Sequence, residues 1–122
     1  MSRKNIEKYI PEAIEVLSIK FKNGKIPSSY NGYISSFGAS IIQSGLKPTL
    51  ALFENQNNQD NTREDRSVLP KWILKVLDKN TQETSLLRYV INNNEELLKQ
   101  KIIDVAIALK LSIRTFELDK GE

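Results

Sequence analysis

The chain contains neither cysteine nor histidine among its 122 residues. The absence of cysteine excludes a disulfide framework, a thiolate metal site and a cysteine nucleophile. The absence of histidine removes the side chain that most often acts as a general base or as a metal ligand. Enzyme classes that depend on either residue are excluded, so we expect a protein with no catalytic centre, no cofactor and no metal.

Long apolar runs are also missing. No run approaches the roughly 20 residues needed to span a bilayer, and the first residues, MSRKNIE, lack the apolar core of a signal peptide. The sequence therefore predicts a cytoplasmic protein. Its 18 basic and 15 acidic residues give a net charge of only +3. That small excess is compatible with a phosphate backbone as partner but does not require one.

At 122 residues the chain has the size of one domain with a core of its own. Apolar residues recur at helical spacing through most of the chain, whereas the apolar and polar alternation typical of strands does not occur. We therefore predict a single all-α domain over residues 1–122, a small bundle of about five to six helices. The longer helices are expected at about 3–22, 28–44, 68–78 and 94–118, with shorter ones after residues 46 and 84.

Two of these helices meet at Gly45, in the stretch that we take as the centre of the fold. Gly45 suits the left-handed residue that ends a helix, and Pro48 suits the first turn of the next one. We predict two helices joined by about three residues and packed as a hairpin. Gly38 lies within the first of them, where glycine costs roughly 1 kcal/mol relative to alanine. A close helix contact at Gly38 would compensate for that cost.

Two segments interrupt the helical pattern. Pro11 lies within the first apolar stripe, so we expect either a kink near residues 7–10 or a helix that begins at Pro11. Residues 54–67, ENQNNQDNTREDRS, contain no aliphatic or aromatic side chain and cannot contribute to a core. We interpret this segment as a mobile polar loop between the two halves of the domain.

Two stretches resemble a known family. Residues 37–56, FGASIIQSGLKPTLALFENQ, resemble the signature of the small helical subunit of the Cmr complex, the type III-B CRISPR RNA-guided effector. In that family a helix ends in a polar-Gly-Leu pattern, and a short helix reading roughly Thr-Leu-Ala-Phe follows. The matching residues are Ile41, Ile42, Ser44, Gly45, Leu46, Thr49, Leu50, Ala51 and Phe53. Residues 105–116, VAIALKLSIRTF, are similar to the family's last helix, with Arg114 and Phe116 at its basic and aromatic positions.

The resemblance implies a non-catalytic subunit of a ribonucleoprotein that acts in antiviral defence. In the family, copies of this subunit stack head to tail beside the backbone subunits that hold the guide RNA, and they help to line the channel for target RNA. RNA cleavage belongs to other subunits. The implied partners are other effector subunits, neighbouring copies, guide RNA and target RNA, with no membrane and no small-molecule substrate. The small subunit of the related type III-A complex is an alternative.

Basic side chains are the candidates for RNA contact, because neutralising several phosphates releases their counterions. Six residues are predicted to bind nucleic acid: Lys20, Lys22 and Lys25 at the end of the first helix, Lys47 beside the glycine turn, and Lys110 and Arg114 one turn apart on the last helix. A competing stripe shares one helix face at i, i+4 and i+8: Lys71, Lys75 and Lys79. The alternative for each of these residues is a solvated surface position without a partner.

Other constellations are weaker. The carboxylates that could form acid and base pairs or bind Mg²⁺ are Glu12, Glu15, Glu95, Glu96 and Asp104, but no third ligand or nucleophile converges on them. Six aromatic residues are candidates to stack on bases, namely Tyr9, Phe21, Tyr30, Tyr33, Phe37 and Phe53, but their helical spacing with aliphatic residues favours the core. A DNA-binding helix-turn-helix is disfavoured because the helix after Gly45 carries only one basic residue, Lys47. An unrelated helical adaptor remains a further alternative.

Overall fold

The computed structural model describes residues 3–55 and 66–119. These residues form six α-helices and two short strands: α1 Arg3–Lys20, β1 Lys25–Pro27, α2 Ser29–Ser44, α3 Leu46–Glu54, α4 Val68–Leu77, α5 Leu86–Ile91, α6 Glu95–Ile113 and β2 Glu117–Asp119. The prediction of a small all-α bundle is confirmed. The predicted loop 54–67 overlaps α3 at Glu54, the last residue of that helix, and its residues 56–65 fall outside the described residues.

The helices α1 and α6 run in the same direction along the length of the molecule. Tyr9, early in α1, lines a pocket with Leu98, early in α6. The segments that follow the two helices pair in parallel, with Lys25 opposite Glu117. Both helices therefore end at the same end of the molecule, which we call the C-terminal end of the bundle.

The two strands were not predicted, and the last helix is shorter than predicted. β1 and β2 pair over three residues each, too few for an alternating pattern to be visible in the sequence. Ile26 in β1 is fully buried. The expected helix over 94–118 ends at Ile113, because the chain turns there: the Phe116 amide donates to the Ile113 carbonyl at 3.0 Å before β2 begins.

Pro11 does not interrupt α1, which runs continuously from Arg3 to Lys20. The prediction of a helix that begins at Pro11 is therefore wrong. Proline cannot donate to the carbonyl four residues earlier, that of Glu7. Because Pro11 and Glu7 are both exposed, this carbonyl lies on the solvent side of α1. The buried residues of the helix, Ile6, Ala13 and Leu17, lie on another side.

Gly45 alone separates α2 from α3, where a link of about three residues was predicted. Its φ of +99° and ψ of +164° correspond to an extended conformation open to glycine rather than to the predicted left-handed helical one. The two helices pack together on either side of it. The rings of Phe37 and Phe53 meet edge to face at 5.1 Å, and the hydroxyls of Ser40 and Thr49 share a hydrogen bond of 2.7 Å.

The predicted close helix contact at Gly38 is wrong. A Cβ atom added at Gly38 would meet no atom of a neighbouring element within 4 Å. Gly38 instead lies in an open groove of about 230 Å³ between α2 and α6, lined also by Ile42 and Ile107. The helical pattern of the sequence showed that Gly38 lies within α2, but not that α6 stays clear of it.

One hydrophobic core joins the six helices and β1. Its largest fully buried side chains are Phe37, Leu17, Ile26, Ile41, Leu46, Leu50, Leu69, Ile73, Leu86, Ile102, Leu109 and Ile113. Trp72 of α4 lies at its edge, with the ring of Phe21 at 5.7 Å and that of Tyr30 at 5.0 Å. Among the described residues, no helix combines the length and the apolar character that crossing a membrane requires.

The last residue of α3 caps the start of α5. The Glu54 carboxylate accepts a hydrogen bond from the Ser85 hydroxyl at 2.7 Å and one from the Leu87 amide at 3.0 Å. The amides in the first turn of a helix lack helical partners and carry partial positive charge, so a carboxylate is favourable there. This contact fixes α5 against α3 although the two are separated by more than 30 residues in the chain.

Candidate nucleic-acid interface

Five of the six predicted residues lie toward the C-terminal end of the bundle. Lys20 ends α1, Lys22 follows it, and Lys25 begins β1. Arg114 directly follows α6, and Lys110 lies in the last turn of α6. Four of these side chains are exposed and Lys110 is half-buried. The parallel course of α1 and α6 therefore gathers cations from two distant parts of the chain at one end.

Lys110 also bridges two helices. Its Nζ donates a hydrogen bond to the Ser35 hydroxyl of α2 at 2.6 Å, and Ser35 in turn donates to the Asn31 carbonyl at 3.2 Å. A lysine ammonium carries three N–H donors. Ser35 therefore holds the ammonium in place while the group keeps donors for an anion such as a phosphate.

Lys47 lies apart from the other five. It is the second residue of α3, and its Nζ is 3.3 Å from the carboxylate of Glu95, the first residue of α6. At 1.5 Å per residue, the start of α6 is about 28 Å from Arg114. The structure therefore does not bring Lys47 together with the cations at the C-terminal end of the bundle. Its charge is balanced within the protein by Glu95.

A groove of about 500 Å³ between α1 and α4 brings Lys20 next to two lysines of the competing stripe. Its lining consists of Glu12, Glu15, Val16, Ile19, Lys20, Trp72, Lys75 and Lys79. We call it the α1/α4 groove. The Lys79 ammonium is 3.3 Å from the Glu15 carboxylate. The sequence separated Lys20 from Lys75 and Lys79 because they are far apart in the chain, and only the packing of α1 against α4 joins them. The predicted helical stripe does not reach Lys79, since α4 ends at Leu77.

A polar pocket of about 310 Å³ lies beside the first half of α1. The sequence did not indicate it. Its lining includes Lys8, Tyr9, Glu12, Tyr89 and Lys101. Burial is the main cause that raises the pKa of Tyr9, and the nearby charge of Asp104 raises it further. Burial, followed by the charge and the hydrogen bond of Asp78, raises the pKa of Tyr89. Both hydroxyls therefore stay protonated at neutral pH and can donate hydrogen bonds.

The carboxylates considered as acid, base or metal ligands are dispersed. Glu12 and Glu15 line the α1/α4 groove, Glu95 pairs with Lys47, and the buried Asp104 accepts a hydrogen bond from Gln100 at 3.0 Å. Within residues 3–55 and 66–119, no three acidic side chains lie close enough together to hold a metal ion. The dispersed positions of these carboxylates thus favour a role in stabilising the helices over a role as a catalytic or metal-binding cluster.

The six aromatic candidates belong to the core or pack against it. Tyr30, Phe37 and Phe53 are buried, and Tyr9, Phe21 and Tyr33 are partly buried against the same cluster. None of the six is therefore an exposed platform for a base. Contacts of this surface with a nucleic acid would be made by its charged side chains.

Comparison with known proteins identifies the family. Residues 4–108 match the family model of the CRISPR-associated protein Cas_Cmr5. No curated protein and no solved structure matches the chain. The matched residues extend from α1 well into α6 and include the turn at Gly45. The chain therefore belongs to the CRISPR-associated Cmr5 family and is a small structural subunit of a type III-B Cmr effector complex.

Proposed function

We propose that this protein is a non-catalytic subunit that stacks in copies along the Cmr ribonucleoprotein and lines the target-RNA channel with basic side chains. The observation that carries the RNA role is the grouping of Lys20, Lys22, Lys25, Lys110 and Arg114 at the C-terminal end of the bundle. The proposed partners are the backbone subunits, neighbouring copies, guide RNA and target RNA. The proposed setting is antiviral defence in the cytoplasm.

The chemistry of this end supports binding that is indifferent to sequence. Lysine and arginine side chains there can neutralise phosphates, whereas no aromatic candidate offers an exposed face for a base. Phosphate contacts of this kind release counterions, so the affinity falls as the salt concentration rises. We therefore expect weak, salt-sensitive binding of single-stranded RNA, strengthened by many copies along the filament.

The absence of cysteine and histidine and the dispersed carboxylates support the non-catalytic part of the proposal. Duplex recognition by a helix-turn-helix finds no support, because Lys47 is the one basic residue of α3 and its ammonium is engaged by Glu95. A structural role beside other subunits therefore fits this protein better than catalysis, and better than duplex recognition by a helix-turn-helix.

The test compares two triple variants in the assembled complex. Lys22→Ala, Lys25→Ala and Arg114→Ala together remove three exposed cations at the C-terminal end of the bundle. For each phosphate that is no longer neutralised, the slope of log affinity against log salt should fall by about 0.7 for a single strand. We expect a decrease of about 2 in that slope for each copy that contacts target RNA, with the number of subunits in the complex unchanged.

The matched control removes three exposed cations elsewhere: Lys4, Lys99 and Lys101. It should leave the slope unchanged. Equal slopes for wild type and for the first variant would show that the C-terminal end of the bundle does not contact target RNA.

A further inference from the structure

The α1/α4 groove has an apolar floor that the chain leaves open. Ile19 is 65% exposed, while Trp72 is only 6% exposed, and Val16 also lines the groove. Removing such apolar surface from water is favourable by roughly 25 cal/mol per Å². A partner that fills the groove with an apolar side chain would therefore be stabilised.

The rim of the groove indicates the charge of that partner. Lys79 is already paired with Glu15, whereas Lys20 and Lys75 form no ion pair with any residue that the structure describes. A partner with an apolar side chain next to a carboxylate would therefore fit both the apolar floor and the unpaired lysines on the rim.

A nucleic acid fits the groove less well. The rings of Phe21 and Tyr30 pack on Trp72 at 5.7 and 5.0 Å, which leaves a base no open face on which to stack. Glu12 and Glu15 lie in the lining, and they repel a run of phosphates more than they repel a single carboxylate. The groove therefore favours a protein occupant.

The chain itself offers one matching element. Among the residues whose side chains the structure describes, the exposed large apolar ones are Ile19, Ile42, Leu52, Ile91, Leu97 and Leu111. Leu97, 66% exposed, lies in the first turn of α6 directly after Glu96. The Glu96 carboxylate pairs with no cation among the described residues, in contrast to Glu95. Of the other five, Leu52 is the one with a carboxylate two residues away, and that group, Glu54, is engaged by α5.

Leu97 does not lie in the groove of its own molecule. It is 66% exposed, and the next residue, Leu98, lines a different pocket beside Tyr9. The groove lies further along α1, at residues 12–20, and against α4. The contact must therefore join two copies through two different surfaces, an arrangement that repeats from copy to copy.

We propose that Leu97 of one copy enters the α1/α4 groove of the next, with Glu96 beside Lys20 and Lys75. This contact rests on the proposed stacking and names the two surfaces that produce it. Leu97 covers the apolar floor, and the Glu96 carboxylate balances the one positive charge that Lys20 and Lys75 together leave beside Glu12.

Trp72 provides a direct readout, because it is the single tryptophan of the chain and lines the groove. We expect the purified protein at low salt to self-associate as its concentration rises, in sedimentation velocity, with a shift of the tryptophan emission. Leu97→Asp and Ile19→Asp should each raise the dissociation constant at least about tenfold. Both positions are exposed, so neither substitution disturbs the core. Ile42→Asp, at a position 78% exposed outside the groove, is the matched control and should have no effect.

A mixing experiment tests the head-to-tail geometry. Leu97→Asp retains an intact groove and Ile19→Asp retains an intact Leu97, so each variant alone should stay monomeric and an equal mixture should form a dimer that grows no further. A mixture that stays monomeric while wild type associates would overturn the proposal. Wild type that stays monomeric throughout, or equal weakening by Ile42→Asp, would overturn it as well. A Trp72 emission shift caused by single-stranded RNA and lost in Ile19→Asp would identify RNA as the occupant instead.

The assembled complex separates this contact from the proposed function. Complexes that contain Leu97→Asp at the wild-type number of copies would overturn the contact and leave the subunit role intact. Failure of the wild-type protein to join the complex would refute the subunit role itself.

Discussion

The two ends of the bundle use charged side chains differently. Around the Gly45 turn, Lys47 is paired with Glu95 and the Glu54 carboxylate caps α5. At the C-terminal end, the exposed side chains of Lys22 and Arg114 form no ion pair with the described residues. Charges that are neutralised within the chain stabilise the fold, whereas unpaired charges remain available to a polyanion. Changes at the first end should therefore affect stability, and changes at the second end should affect binding.

The largest effect is expected in the packing of α2 against α3. Phe37 is fully buried and meets Phe53 edge to face. Phe37→Ala leaves a cavity at this contact and should lower the free energy of unfolding by about 3–5 kcal/mol, measured by urea denaturation. Ile42→Ala, five residues along the same helix at an exposed position, should change it by less than about 0.5 kcal/mol. Similar losses for the two variants would mean that α2 does not pack on α3 in this way.

Glycine substitutions give the next largest effect, with opposite signs at two positions. Gly45→Ala should destabilise by about 1–3 kcal/mol, because φ of +99° with ψ of +164° is strained for alanine. A Cβ there meets Pro48 no closer than 3.6 Å, so the cost comes from the backbone. Gly38→Ala should stabilise by up to about 1 kcal/mol, since its Cβ would meet open space. Thermal unfolding of both variants measures the difference, and a destabilised Gly38→Ala would contradict the open groove.

The cap on α5 should have an intermediate effect. Glu54→Gln keeps the size of the side chain but removes the charge that strengthens its bonds to Ser85 and Leu87. We expect a loss of about 1 kcal/mol in the free energy of unfolding. Glu12→Gln, in α1, is a control for charge alone, because the Glu12 carboxylate forms no ion pair with any described residue. Equal effects of the two substitutions would show that the Glu54 contact contributes nothing specific.

The smallest effect on stability is expected at the C-terminal end of the bundle. Arg114→Ala should leave the free energy of unfolding within about 0.5 kcal/mol of wild type, because Arg114 is exposed and unpaired among the described residues. Lys47→Ala should cost less than about 1 kcal/mol, and less still at high salt, because its pair with Glu95 is half-exposed. A larger loss for Arg114→Ala than for Lys47→Ala, in parallel urea titrations, would reverse the comparison of the two ends.

The pattern of apolar residues predicted much of the fold. The helical spacing around Ile34 and Phe37, and again around Leu50 and Phe53, placed two helices on either side of Gly45, as observed. Local preferences suffice here, because helical hydrogen bonds join residues four apart and the turn depends on one glycine. The strand pairing of Lys25 with Glu117 was not visible, because it joins two three-residue segments more than 90 positions apart.

The candidate site was predicted only in its components. The sequence identified exposed cations, but it could not show that Lys47 lies at the other end of α6 from Arg114. It also treated Lys20 and Lys75 as members of competing sets, although both line the α1/α4 groove. Helical spacing tells which side chains share a face of one helix, and it contains no information on which helix packs beside it.

The amino-acid sequence by itself determined the helical character of the chain, the turn at Gly45, the lack of cysteine and histidine chemistry and the likeness to the Cmr small subunit. These properties depend on composition and on contacts between residues close in the chain. Only the tertiary structure decided which cations gather at the C-terminal end of the bundle, which lysine is neutralised by Glu95, and that a groove opens beside Trp72. The physical reason is that these features arise where separate helices pack against one another, and that packing depends on the whole core.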